Sequence, residues 1–191
     1  MRVTTGRAKG RSLKSVPGDV TRPITDRVKQ ALFNILADDV KDTAWLDMFG
    51  GTGAVGIEAL SRGARAVTFI DQDALAVKTI EANLKITGFQ DRARVIRQDA
   101  FRYVTAYPNA QYDFIYIAPP QYQGLWAAAL VAIDNAIAWL AEDGTVIAQI
   151  DPHEYHALEL KQLELVDQRS YGSTMLCFYE RTIANDLASD R

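Results

Sequence analysis

From about residue 44 onward, short apolar runs alternate with stretches of helical character, and this rhythm limits the fold more than any other feature. The runs are Ala44–Phe49, Ala66–Ile70, Ala93–Ile96, Tyr112–Ile117 and Thr145–Ile150. Helices are expected over about 54–62, 73–87, 100–106 and 124–141, with another at about 153–160. Such alternation implies an α/β, doubly wound, mostly parallel sheet with right-handed crossovers. The rhythm breaks at the end. Leu163–Arg169 and Thr174–Arg181 read as two strands joined by a turn at Tyr171-Gly172-Ser173, with no helix between them. An antiparallel strand would therefore close a seven-stranded sheet.

Ahead of the sheet, Gly6, Gly10 and Pro17-Gly18 punctuate a stretch better suited to small strands or an irregular arm than to a helix. Thr25 or Asp26 can cap a helix over about 26–37, where Val28, Leu32, Ile35 and Leu36 share a face. The expected division is a basic arm and helix over 1–40, the sheet domain over 41–181 and a frayed polar tail over 182–191.

Charge sharpens that division. The net charge of −3 is ordinary, but residues 1–30 carry eight cations against two anions, a net of +6. The remainder holds 13 cations and 22 anions, a net of −9. A basic segment on an acidic body can contact a polyanion by displacing its counterions, or can simply be a solvated arm. One cysteine, Cys177, excludes a disulfide framework, and no apolar run approaches a bilayer's thickness. The N-terminal residues lack a signal peptide's apolar centre, so a cytoplasmic protein is expected.

Asp47-Met-Phe-Gly-Gly-Thr-Gly-Ala-Val-Gly56 follows the first strand and opens the first helix of the alternation. Gly51, Gly53 and Gly56 spell G-x-G-x-x-G, which allows close backbone approach by a ligand. Taken literally, the pattern suggests a dinucleotide, with Asp71 binding its ribose; the glycines could also serve only a tight strand–helix turn. Asp47 argues against a pyrophosphate, because an anion there suits a cation. Asp71 ends the second strand and Asp99 follows the third, so acids line the carboxyl ends of neighbouring strands. A ligand with ribose hydroxyls, an adenine amine and a sulfonium would suit such a cleft, and S-adenosylmethionine has all three.

Asp47-x-Phe49-x-Gly51-x-Gly53, Asp71 and Asp99 resemble the class I methyltransferase motifs. Further stretches are more specific. Gly6-x-x-Lys9-Gly10-Arg11-x-Leu13, Thr21-Arg22-Pro23-x-Thr25-x-Arg27-Val28-Lys29-x-Ala31-Leu32-Phe33-Asn34-Ile35-Leu36, Gly56-Ile-Glu-Ala-Leu-Ser-Arg-Gly63-Ala64 and Arg169-x-Tyr171-Gly172-x-Thr174-x-Leu176 resemble RsmD-type bacterial 16S rRNA guanine-N2 methyltransferases over about residues 2–181. The resemblance implies a Rossmann-like class I methyltransferase fold with a small N-terminal extension, S-adenosylmethionine as cofactor, and 16S rRNA or the small ribosomal subunit as partner. No metal is implied, and a monomer is expected. Asp47 would support the cofactor's methionine end, with Phe49, Gly51 and Gly53 forming the loop around it. Asp71, followed by Gln72, would accept from the ribose hydroxyls, and Asp99 with Ala100 would meet the adenine. Arg22, Thr25 and Arg27 would lie where the N-terminal segment closes over the cleft, although Thr25 could equally be a plain helix cap. Arg7, Lys9, Arg11, Lys14 and Arg22 would grip RNA phosphates.

One motif departs from the family. Amino methyltransferases of this group carry Asp or Asn before Pro-Pro-aromatic, so that the side-chain oxygen and a proline carbonyl accept the amine's two N–H bonds. Here the sequence reads Ala118-Pro119-Pro120-Gln121-Tyr122. The acceptor side chain is gone and the aromatic residue is displaced by one position. Gln121 could replace the acceptor while Tyr122 stacks on an extruded base; the nucleophile could differ; or the chain could bind without turnover. His153 and His156, without a cysteine or carboxylate cluster, read as surface residues of a helix. Trp126, Trp139 and Cys177 read as core.

Overall fold

The computed structural model describes residues 1–18 and 24–182. The helices are α1 (Asp26–Leu36), α2 (Ala54–Ser61), α3 (Ala74–Thr87), α4 (Ala100–Val104) and α5 (Leu125–Asn135). The strands are β1 (Ala44–Asp47), β2 (Ala66–Asp71), β3 (Ala93–Arg97), β4 (Tyr112–Ile117), β5 (Leu140–Ile150), β6 (Leu163–Tyr171) and β7 (Thr174–Arg181). They form one seven-stranded sheet in the order β3-β2-β1-β4-β5-β7-β6. The pairs from β3 through β5 are parallel, and β7 runs antiparallel between β5 and β6. The expected sheet is the one observed.

All four residues of β1 are buried, as a central parallel strand covered on both faces requires. On one face, α1, α2 and α3 pack Leu32, Phe33, Ile57, Leu60 and Ile80 against Trp45, Phe69, Phe114 and Ile147. On the other, α4 and α5 pack Val104, Leu130 and Ile133 against Leu46, Ile70, Ile115 and Val146. Trp126, Trp139 and Cys177 belong to this second core.

Residues 1–18 are bound tightly to this body. Val3, Ala8 and Leu13 enter the first core. Glu58, fully buried on α2, accepts from the Thr4 N–H at 2.9 Å, the Thr4 hydroxyl at 2.7 Å and the Thr5 N–H at 3.0 Å. The same carboxylate meets Lys29 Nζ at 3.3 Å and Arg62 Nε at 3.1 Å. Asn83 on α3 accepts from the Lys14 N–H at 2.7 Å and donates to the Thr52 carbonyl at 2.9 Å. The segment is thus stitched to α2, α3 and the glycine loop by side chains that each satisfy several backbone groups.

Two expected helices come out differently. The helix expected over 124–141 ends at Asn135, and the chain from Leu140 becomes the start of β5, with Leu140 paired to Tyr112. Trp139 drives this change: its ring is buried and its indole N–H donates to the Val104 carbonyl at 2.9 Å. Over the expected helix at 153–160 there is only a short 3-10 turn, Pro152–Glu154. Beyond it, Tyr155 stacks on Trp126 at 6.2 Å, and buried Asp134 accepts from the backbone N–H groups of Lys161, Gln162 and Leu163. Tertiary partners outweigh helix propensity here. The expected tail lies, apart from Thr182, outside the described residues.

Candidate active site

The strand order reverses between β1 and β4, so a crevice opens at their carboxyl ends. Asp47 ends β1 at its floor and is register partner to Tyr116 of β4. The Asp47 side chain is buried, and its Oδ1 has no hydrogen-bond partner among the described residues. Burial, followed by the charge of Asp71, pushes its carboxyl up to about 8, against the opposing pull of the Gly56 and Phe49 amides. A buried acid with an unpartnered oxygen is costly unless something cationic or a donor arrives to meet it.

The loop above Asp47 owes its shape to its glycines. Gly53, at φ 76°, caps α2 from the left-handed region, where a side chain would strain the turn. Gly56 serves packing instead, since a Cβ there would lie 2.4 Å from the Phe69 ring; its absence lets α2 sit close on β2. Asp71 at the end of β2 accepts from the Gly51 N–H at 2.8 Å and from the Asp73 N–H at 2.9 Å. Those bonds fix the carboxylate and leave it acceptor capacity, since each oxygen takes two. Gln72 beside it is exposed. Asp99 caps α4 through Oδ1, accepting from the Arg102 N–H at 2.9 Å, and Ala100 behind it is buried. Phe49 and Phe101 meet edge to face at 6.3 Å, adding an apolar wall near these acids. Phe101 belongs to no motif, and nothing in the sequence alone points to it.

On the other side of the crevice, Ala118, Pro119 and Gln121 are half-buried after β4, and Pro120 is exposed. Tyr122 has φ 60°, a conformation that costs a non-glycine residue about 1–2 kcal/mol. Two residues of the following segment hold it there. Asp151 Oδ2 accepts from the Tyr122 hydroxyl at 2.7 Å, and Glu154 Oε1 accepts from its N–H at 2.7 Å. Tyr122 is nevertheless 68% exposed. Hydrogen bonds from the His153 N–H, the Tyr122 hydroxyl and the His153 ring lower the Asp151 carboxyl to about 2. His153 is therefore a partner of this clamp. Neither Asp151 nor Glu154 stands out in the sequence, because no motif spans the 29 residues from Tyr122 to Asp151.

The arm cations divide. Arg7, Lys9, Arg11 and Lys14 are all exposed, whereas Lys29 is fully buried and donates to the Arg2 carbonyl at 2.6 Å. Lys14 is held beside the glycine loop through Asn83. Arg7 donates its N–H to the Ser61 carbonyl at the last residue of α2, about 12 Å from the loop along an eight-residue helix. Arg27 is exposed on the first turn of α1. Thr25 caps that helix, its Oγ1 accepting from the Val28 N–H at 3.3 Å. Arg22 lies outside the described residues. Among the described residues no group of three or more His, Cys, Asp and Glu is placed to hold a metal ion, and no helix is long and apolar enough to cross a membrane.

Known proteins resemble this chain in sequence and fold. A family model described as Conserved hypothetical protein 95 matches residues 1–180. YlbH of Bacillus subtilis, described as a candidate rRNA methyltransferase, is 37% identical over 183 residues, spanning 95% of this chain and 99% of YlbH. Ribosomal RNA small subunit methyltransferase D of Escherichia coli K12 is 32% identical over 149 residues, spanning 78% of this chain and 74% of its own. The solved structure of yhhF from Escherichia coli, described as a candidate methyltransferase, superposes with a TM-score of 0.83 at 29% identity, covering 95% of this chain and 97% of that one. The chain belongs to the Conserved hypothetical protein 95 family, the family of the ribosomal RNA small subunit methyltransferases D.

Proposed function

We propose that this protein transfers a methyl group from S-adenosylmethionine to the exocyclic N2 of a guanine in 16S rRNA, acting as a monomer in the cytoplasm. The observation that carries the cofactor reading is Asp47, a buried acid whose Oδ1 lacks a partner at the carboxyl end of β1. A cationic ligand with hydroxyl and amine donors answers that site, and a pyrophosphate does not. Calorimetry with S-adenosylmethionine and with NAD separates the two: binding of NAD alone would sink this reading.

The residues present fit the cofactor. Asp47 would hold the methionine end within the loop of Phe49, Gly51 and Gly53. Asp71, with Gln72 beside it, would accept from the ribose hydroxyls, and Asp99 with Ala100 would receive the adenine. Thr25 and Arg27 would close over the cleft from α1. Bound there, S-adenosylmethionine supplies an electrophilic methyl group on a sulfonium. The chain's own work is to place the amine. The Pro119 carbonyl accepts one N–H of the flipped guanine, while Pro120 and Gln121 shape the turn that presents it. The ring of Tyr122 stacks on the base, a contact worth about 1–3 kcal/mol. Proximity and orientation then provide much of the acceleration.

Residues 1–40 would be the RNA-contacting piece and residues 41–181 the methyltransferase domain. Lys14, held beside the loop, would grip a phosphate near the target, with Arg7, Lys9 and Arg11 reaching phosphates farther off, and Arg22 contributing from its own stretch. The names of the relatives from Bacillus subtilis and Escherichia coli support an rRNA substrate.

Ala118 favours a second reading, a protein that binds cofactor and RNA without turnover. One experiment decides between them. The protein is incubated with labelled S-adenosylmethionine and either naked 16S rRNA or small ribosomal subunits, and the modified base is mapped. Methylation of one guanine at N2 supports the enzyme reading; cofactor binding with no labelled RNA supports the second.

A further inference from the structure

We propose that Gln149 of β5 supplies the hydrogen-bond acceptor that position 118 lacks. The inference rests on the guanine-amine reading above and deepens it.

The register places the residue. Ile117 of β4 pairs with Ala148 of β5, and Ala118 and Gln149 are the residues that follow this pair on the two adjacent chains. They share a face. Tyr116 lies in the core under α1 and α2, and Ala118 packs against that same core. Gln149 shares the face, because its Oε1 accepts from the Tyr116 hydroxyl at 2.5 Å. The longer Gln149 side chain thus lies on the same face as the small Ala118 methyl, one strand over.

The chemistry also fits. An amide oxygen has two acceptor sites, and Tyr116 occupies one. Tyr116 is buried while Gln149 is half-buried, so the anchor is inside and the amide is reachable by a ligand. Gln121 has no comparable anchor: among the described residues no hydrogen bond fixes its amide, whereas that of Gln149 is aimed before a substrate arrives. The amine nitrogen forms its bond to the methyl carbon as the carbon–sulfur pair returns to sulfur, and the proton it then sheds goes to water. Gln149 accepts a hydrogen bond throughout and takes no proton, and the Pro119 carbonyl accepts the other.

The test uses the full chain with small ribosomal subunits. Replacing Gln149 alone would strand the buried Tyr116 hydroxyl, so the main variant is Tyr116→Phe with Gln149→Leu, which removes both polar groups together. Its single-turnover methylation rate is expected to fall on the order of 100-fold, as for one lost transition-state hydrogen bond. Affinity for S-adenosylhomocysteine, read by calorimetry, should stay within about twofold. Adding Ala118→Asp to that variant should restore at least about tenfold of the rate, and Gln149→Glu alone should remain active. Binding to RNA carrying inosine at the target, which lacks the 2-amino group, gives a readout apart from turnover: the wild type should favour guanine, and the double variant, left with the Pro119 carbonyl, should favour it less. A double variant within about threefold of wild type, or a loss that Ala118→Asp does not recover, overturns the assignment and leaves the methyltransferase reading intact. A wild-type protein that leaves guanine N2 unmodified overturns both.

Discussion

The two sides of the crevice are built by different means. At the ends of β2 and β3, the acids are held by backbone donors of the strand–helix turns: Asp71 by Gly51 of the turn after β1 and by Asp73 of its own, and Asp99 by the first turn of its own helix. At the ends of β4 and β5, Tyr122 and Gln149 are anchored by distant segments among the described residues. Tyr122 depends on Asp151 and Glu154, and Gln149 depends on Tyr116. The side proposed for the cofactor is therefore held by the strand–helix turns, while the side proposed for the base is held by the chain after β5 and by a bond across the sheet. Substitutions should separate the two, with losses of cofactor affinity on one side and losses confined to RNA on the other.

That difference also decides what could be read from the sequence. Asp47, Asp71 and Asp99 were legible because each follows an apolar run and precedes a helix, a local pattern that parallel sheets repeat. The seven strands and the antiparallel closure were legible for the same reason. Asp151, Glu154 and Gln149 were not, since their meaning lies in partners about thirty residues away. The helix expected at 153–160 failed for a related cause. Its residues are spent on distant partners, Glu154 on Tyr122 and Tyr155 and His156 on Trp126, which no local propensity records. The charge split was half legible: it found a basic segment, but Lys29 is consumed inside the fold against Glu58.

The largest expected effect tests whether the arm belongs to the rigid side. Glu58→Ala removes the only fully buried carboxylate on Lys29 among the described residues and leaves that ammonium enclosed. Breaking one partner of a buried pair costs about 3–5 kcal/mol, which lowers the melting temperature on the order of 10 °C for a chain of this size. A shift of under about 3 °C would mean the arm is only loosely held, and the comparison would have to be redrawn.

Next in size is Asp47. Asp47→Asn should weaken S-adenosylmethionine by about 10- to 150-fold, the worth of about 1.5–3 kcal/mol for a charged hydrogen bond, while RNA affinity is unchanged. The raised carboxyl adds a signature in pH. Its value in the folded protein, about 8, lies above its ordinary 3.8, so folding takes up a proton between these limits and stability falls as pH rises through them. Asp47→Asn should flatten that decline in urea unfolding between about pH 5 and 8. At about pH 7 the wild type should release close to one proton when the cofactor binds, seen as a buffer-dependent enthalpy. An enthalpy independent of the buffer would refute it.

On the base side, Tyr122→Ala should weaken the flipped guanine by about 1–3 kcal/mol, or about 5- to 150-fold, with cofactor affinity within about twofold of wild type. A parallel loss of cofactor affinity would show that the two sides are not separable.

The smallest effect isolates the tether from the ring. Tyr122→Phe keeps the stacking surface and deletes only the hydroxyl that Asp151 accepts, while the Glu154 bond to the backbone N–H remains. The loop should hold, because the Glu154 bond survives, and methylation should fall by only a few fold through KM. The acid limb gives the sharper reading. Asp151 sits at about 2 in the folded protein against an ordinary 3.8, so its bonds add stability above about pH 4 that is lost as pH falls toward 2. The Tyr122 hydroxyl is the second-largest cause of that depression, after the His153 N–H and ahead of the His153 ring. Tyr122→Phe should therefore make the loss of stability between about pH 4 and 2 shallower without abolishing it, and Asp151→Asn should remove that component altogether. Identical acid limbs in wild type and Tyr122→Phe would mean that the hydroxyl contact does not form in solution.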